Sequence, residues 1–135
     1  VIEDGDVVIG KVPAPFKVAV AKAPEKAILV ASVNLYILKV DRKKCDPHYL
    51  QAYLCSNLGQ AQISGILKGN VLLTIPAEGL ARIPFPMRPL EEQKAFADKF
   101  REKLQFVRVA RMQADKAARD AETAFDAFLA KEAEL

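Results

Sequence analysis

The sequence predicts a mixed α+β fold, with a small twisted sheet in a head region followed by one long helix. All six glycines and all eight prolines lie before residue 90, so the last 46 residues contain neither of the types that interrupt helices. Residues 27–40 form a nearly continuous β-branched and apolar run, which indicates a strand buried on both faces. We therefore divide the chain into a head, residues 1–89, and a tail, residues 90–135.

The first part of the head is expected to form the sheet. A short apolar strand is predicted over residues 7–9, and Pro13 and Pro15 favour a turn or an edge segment after it. The longer run at residues 27–40 has the stronger strand pattern. We expect it to lie at the centre of the sheet.

Helices are predicted in the second part of the head. Asp46-Pro47 is typical of a helix start, with an aspartate cap before a proline in the first turn. The apolar spacing continues over residues 47–58, and Gly59 is a suitable residue to end the helix. A second short helix is expected over residues 60–67, and a further strand over residues 71–75.

The tail carries a heptad repeat over about five heptads, which is typical of a coiled coil. A helix this long needs a partner helix to cover its apolar stripe, and alanines in the stripe would let that partner approach closely. We predict that residues 90–135 form a two-fold antiparallel homodimer. The positions that we call the heptad seam are Phe100, Leu104, Val107, Arg111, Ala114, Ala118, Ala121, Phe125 and Phe128.

The charge distribution separates the two regions. The head has eleven Lys and Arg against seven Asp and Glu, whereas the tail has nine against ten. A basic head beside a nearly neutral tail predicts different partners for each, and double-stranded DNA suits the head. The DNA-binding candidates are Lys11, Lys17, Lys22, Lys39, Arg42, Lys43, Lys44, Lys68 and Asn70. Solvated loops explain the lysines equally well, and an ordinary β-turn explains Lys68-Gly69-Asn70.

Few residues here suit metal or redox chemistry. The chain has two cysteines and one histidine, too few for a zinc site, so we expect no metal and no cofactor. No apolar run reaches the length of a membrane span. Reduced cysteines and an acidic stretch at residues 1–6, unlike a signal peptide, are typical of a cytoplasmic protein.

One tetrapeptide invites a catalytic interpretation. Residues 46–49, Asp-Pro-His-Tyr, are similar to the motif with which adenine-N6 methyltransferases hold a flipped base. The simpler interpretation is that Asp46 caps a helix and Tyr49 packs. No glycine-rich nucleotide loop follows a predicted strand, so we assign no catalytic residue.

Three segments in order resemble the DNA-specificity subunit of Type I restriction-modification systems. They are GDVVIGKV at residues 5–12, CDPHYLQAYLCS at residues 45–56, and the segment at residues 63–100. The last contains a Gly-polar turn, a Leu-x-x-Ile-Pro-x-Pro exit and Pro-Leu-x-Glu-Gln before a long helix. The resemblance extends over nearly the whole chain and implies part of a target-recognition domain followed by a spacer helix.

The resemblance also implies partners. Subunits of this family recognise DNA sequence and hold methyltransferase and restriction subunits, without catalysing either reaction. Whole subunits have two recognition domains and two antiparallel spacer helices, whereas this chain matches one of each. Two alternatives remain open: the recognition region of a single-chain adenine-N6 methyltransferase and restriction protein, and a purely structural coiled-coil scaffold.

Overall fold

The computed structural model describes residues 1–12, 16–26, 28–69 and 72–133, and for residues 132 and 133 it describes the backbone alone. The mixed α+β fold predicted from the sequence is confirmed. The strands are β1 (Val7–Gly10), β2 (Val18–Val20) and β3 (Leu35–Leu38), and the helices are α1 (Pro47–Cys55), α2 (Asn57–Gly65), α3 (Ala77–Ala81) and α4 (Leu90–Ala133). The predicted turn at Pro13 and Pro15 lies outside the described residues.

The sheet has β1 at its centre, so the prediction of a central strand over residues 27–40 is wrong. The strand order is β2-β1-β3, and both pairings are antiparallel. Within residues 28–40 only β3 belongs to the sheet, as an edge strand, and Leu29 makes an isolated bridge to Ile2. The side chains of Val30 and Val33 are exposed. An apolar run forms a strand only where a neighbouring strand pairs with it, and that pairing is tertiary.

The core lies on one face of this sheet. Val7 and Ile9 of β1 are fully buried, which is expected for alternate residues of a central strand with one covered face. Gln51 of α1 donates a hydrogen bond of 3.1 Å to the Val18 carbonyl and so fixes the helix against β2. The buried apolar residues of this core are Val7, Ile9, Phe16, Leu54, Ile63 and Ile75.

Helix α1 begins where the sequence predicts and ends earlier. Asp46 caps it by accepting hydrogen bonds from the backbone N–H groups of His48 and Tyr49. The helix ends at Cys55, and Ser56 caps the start of α2. Gly59 is therefore inside α2 and does not end α1. It is buried, and a Cβ there would overlap the Tyr53 carbonyl, so close packing of the two helices explains this glycine.

The segment after α2 is less regular than predicted. Thr74 forms only an isolated bridge with Lys68, and no strand is found among the described residues 72–75. The short helix α3 follows and was not predicted from the sequence. Five residues carry too little periodicity to indicate a helix without the tertiary contacts around them.

The long helix of the tail is confirmed as α4. Glu91 and Glu92 lie in its first turn, where carboxylates interact favourably with the helix dipole. The chain forms two compact units, Val1–Phe100 and Arg101–Leu135, so the beginning of α4 belongs to the first unit. Among the described residues, no helix is both long and apolar enough to cross a membrane.

Candidate nucleic-acid interface

Two predicted DNA-binding lysines lie at the end of the sheet where β1 finishes. The Gly10 N–H donates a hydrogen bond of 3.1 Å to the Lys17 carbonyl, and the Lys11 N–H donates one of 2.9 Å to the Asn34 carbonyl. These bonds place Lys11, Lys17 and Asn34 around Gly10. We call this the Gly10 end of the sheet.

Lys68 is connected to the same end through a short chain of backbone bonds. The Ile75 N–H donates to the Lys11 carbonyl at 3.1 Å, and Thr74 exchanges two backbone hydrogen bonds with Lys68. The side chains of Lys17 and Lys68 are exposed and have no hydrogen-bond or ion-pair partner in the described part of the chain. Their ammonium groups are therefore available to an anion.

Lys11 is held in a defined position. Its Nζ donates a hydrogen bond of 2.6 Å to the Val33 carbonyl and lies 4.4 Å from the centre of the Tyr36 ring. The Tyr36 hydroxyl in turn donates to the Ile75 carbonyl at 2.8 Å. An ammonium group has three donor hydrogens, so Lys11 keeps donors for a further ligand.

The basic residues at the opposite end of the sheet are engaged with acidic ones. Lys39 Nζ lies 2.7 Å from a carboxylate oxygen of Glu3 and 2.7 Å from one of Asp6. The guanidinium of Arg42 donates to the Asp4 carbonyl. Lys39 and Arg42 thus fix residues 3–6 against the sheet, and their charges are partly offset within the protein.

The remaining candidates at this end are exposed and near carboxylates. Lys44 Nζ is 3.9 Å from an Asp41 oxygen. Lys22 precedes Ala23, whose N–H donates to the Asp4 side chain at 3.3 Å. For Lys22 and Lys43 no side-chain partner is found within the described ranges. The eight candidates among the described residues therefore do not form one patch, and the ninth, Asn70, lies outside the described residues.

The ion pair at Asp6 changes the pKa values of both partners. Burial alone would raise the pKa of the Asp6 carboxyl, but the hydrogen bonds from Lys39 and the Glu3 N–H, together with the charges of Lys39 and Arg42, hold that pKa below its usual value. The pKa of Lys39 is raised by its hydrogen bonds to Asp6 and Glu3. Folding therefore favours the charged forms of Asp6 and Lys39.

This interaction should make stability depend on pH. A carboxyl whose pKa is lowered by folding stabilises the protein above its unfolded pKa, near 3.8, and that contribution is lost as the pH falls through the folded value. We expect Asp6→Asn to be less stable than wild type at pH 6, and the difference to shrink as the pH falls below about 4. Urea unfolding at each pH measures this, with the exposed Glu25→Gln as the control. A difference between wild type and Asp6→Asn that stays constant down to pH 2.5 would contradict the assignment.

Gln93 is an important buried residue to which the sequence analysis gave no role. Its side chain is fully buried, accepts a hydrogen bond of 2.9 Å from the Asp46 N–H, and donates to the carbonyls of Lys44 at 3.0 Å and Arg88 at 2.7 Å. It therefore connects the start of α4 to the cap of α1. The one feature of the sequence that could have indicated a role for Gln93 is its position at the end of the Pro-Leu-x-Glu-Gln motif.

Two tyrosines of α1 hold the proline-rich segment that leads into α4. The hydroxyls of Tyr49 and Tyr53 donate to the carbonyls of Pro86 and Pro84. Both rings also contact Phe85 edge-to-face, with centroids 5.6 and 5.3 Å apart. In the tetrapeptide at residues 46–49, Asp46 thus caps a helix and Tyr49 packs against this segment.

The heptad seam carries part of the exposed apolar surface of α4, and the exposed large apolar residues off the seam are Phe96, Phe106, Val109, Met112 and Leu129. Phe125 and Phe128 have 61% and 55% of their surfaces exposed, and Val107 has 41%. Phe100 and Leu104 are partly exposed. Arg111, Ala114, Ala118 and Ala121 complete the seam and are exposed as well.

Comparisons with known proteins assign no family. A scan against protein-family models finds no match to this chain, and a search of the curated proteins finds none either. In the described part of the chain, no three His, Cys, Asp or Glu side chains are grouped closely enough to hold a metal ion.

Proposed function

We propose that the chain is a DNA-recognition module of a Type I restriction-modification system, which positions methyltransferase and restriction subunits on double-stranded DNA. The observation that supports DNA binding is the gathering of Lys11, Lys17 and Lys68 at the Gly10 end of the sheet. Phosphate contacts from lysine supply most of the sequence-independent affinity for DNA. The resemblance in the order of motifs supports the particular system, and in this role the chain catalyses no reaction.

The Gly10 end should contribute more to DNA binding than the opposite end. The double variant Lys17→Gln and Lys68→Gln removes two ammonium groups that have no partner within the described residues. We expect weaker binding to a random-sequence duplex, and a slope of log affinity against log salt reduced by about two. Fluorescence anisotropy at several salt concentrations measures both quantities.

A matched control is available at the other end of the sheet. The double variant Lys22→Gln and Lys43→Gln makes the same change in net charge beside Asp4 and Asp41. We expect this control to change the salt slope by much less than the Gly10-end variant. Equal changes in the two variants would mean that only net charge matters, and would contradict an interface at the Gly10 end.

A structural scaffold is the second candidate function, and the exposed heptad seam of α4 is the observation that favours it. In that case the tail would associate with another helix while the head would bind no nucleic acid. Wild-type protein that associates through α4 but shows no salt-sensitive DNA binding would support the scaffold and reject the recognition module. The third alternative, a recognition region fused to a methyltransferase, requires the same DNA contacts and differs in its partners.

A further inference from the structure

Gly10 is a glycine that the fold itself does not require. Its φ is not in the left-handed region, unlike that of Gly5 or Gly69. A Cβ built on Gly10 meets no atom closer than the Lys17 carbonyl oxygen, at 4.0 Å. Gly10 is the last residue of β1, where glycine has more conformational freedom to lose than other residues and no side chain to pack. Neither backbone conformation nor packing therefore explains the glycine at this position.

Gly10 lies on the outer face of the sheet, away from the core. Val7 and Ile9 point into the core, so Val8 and Gly10 point to the opposite face. Gly10 is paired with Leu35 of β3 on one side and bonded to Lys17, the residue before β2, on the other. The missing side chain leaves the backbone accessible between these two neighbours.

A shallow groove passes over this position. Its polar lining residues are Lys11, Lys17 and Asn34, and no acidic residue is among the described residues that line it. The ammonium group of Lys11 lies over the Tyr36 ring, so Lys17 supplies the free positive charge of the groove. The side chain of Asn34 has no hydrogen-bond partner within the described chain. The residues that line the groove are Val8, Gly10, Lys11, Val12, Lys17, Val18, Ala19, Asn34 and Leu35.

We propose that Gly10 is the floor of this groove on which the sugar-phosphate backbone of duplex DNA rests, with Lys17 beside Gly10 on the same face contacting a phosphate. This inference rests on the proposed DNA binding and names the point of closest approach. Glycine is typical of positions where a ligand comes close to the backbone. A side chain at residue 10 would fill the groove and hold the phosphate away from the Lys17 ammonium group.

The proposal predicts opposite effects of one substitution on stability and on binding. Gly10→Val places a β-branched residue in a strand where a Cβ has room, so the urea midpoint should not fall. The affinity of the full chain for a random-sequence duplex should fall roughly tenfold, the effect of losing about one good contact. Gly10→Ala should show the same direction with a smaller loss. A purely structural glycine would instead lower stability and leave the DNA affinity of the folded protein unchanged.

Gly65, at the end of α2, provides the matched control. A Cβ on Gly65 meets nothing within 4 Å, and its φ, like that of Gly10, is outside the left-handed region. Gly65→Ala should therefore keep wild-type affinity. If Gly10→Val and Gly10→Ala bind duplex DNA as tightly as Gly65→Ala, the groove proposal is wrong while DNA binding stands. If the wild-type chain binds no duplex at low salt, the proposed function itself fails.

Discussion

Replacing Gln93 by leucine should lower the free energy of unfolding by roughly 2–4 kcal/mol. Leucine has nearly the same size but leaves the Asp46 N–H and the carbonyls of Lys44 and Arg88 without the partner that Gln93 provides. A buried polar group that loses its hydrogen bond costs about 1–3 kcal/mol. Urea unfolding followed by circular dichroism measures the change.

The control for this substitution is Gln113→Leu, also on α4. Gln113 is exposed, and its side chain has no partner within the described residues. Substitutions at such positions usually change stability by less than about 0.5 kcal/mol. A loss in Gln93→Leu no larger than in Gln113→Leu would show that the buried hydrogen bonds contribute nothing net to the joint between α1 and α4.

We expect the full chain to be a dimer through the heptad seam of α4, and Val107→Asp with Ala114→Asp to make it monomeric. Covering each large apolar side chain of the seam is worth about 1.5–3 kcal/mol, and Val107, Phe125 and Phe128 are all exposed in the single chain. Arg111 is the one charged residue of the seam and can neutralise at most one of the two new carboxylates on its helix, so the other would be buried without a counter-ion at a cost of several kcal/mol. Sedimentation equilibrium at tens of micromolar measures the association.

A second double variant tests whether dissociation depends on where the two charges are placed or only on their number. Val109→Asp with Ala130→Asp introduces the same two charges on the opposite side of the same helix, because both residues lie off the seam in the heptad pattern. This control should remain a dimer. A wild-type monomer with α4 still helical, or dissociation by both double variants alike, would refute the seam as the association surface.

Local features of the sequence were sufficient to predict the helices with clear ends. Asp46-Pro47 predicted the start of α1, and the loss of glycine and proline after residue 89 predicted α4. Both depend on backbone properties of the residues involved. The association of α4 with a second helix and the family resemblance stay predictions.

Long-range pairing explains what sequence reasoning missed. The sheet centre was assigned to residues 27–40 because composition records how apolar a segment is but not which strand pairs on each side of it. The basic cluster at residues 39–44 resembled a phosphate site, yet Lys39 contacts Glu3 and Asp6, more than thirty positions away. Charge runs alone do not reveal such partners.

The two tyrosine hydroxyls on α1 also set a fixed length for the connection into α4. Tyr49 and Tyr53 are one helical turn apart and bind the carbonyls of Pro86 and Pro84, and the next attachment is Gln93 beside Asp46. One residue inserted between Leu90 and Gln93, in the first turn of α4, would rotate Gln93 by about 100° about the helix axis and direct its amide away from Asp46. Replacing residues 1–89 in front of the same helix is therefore compatible with this joint only where the number of residues from 84 to 93 is preserved.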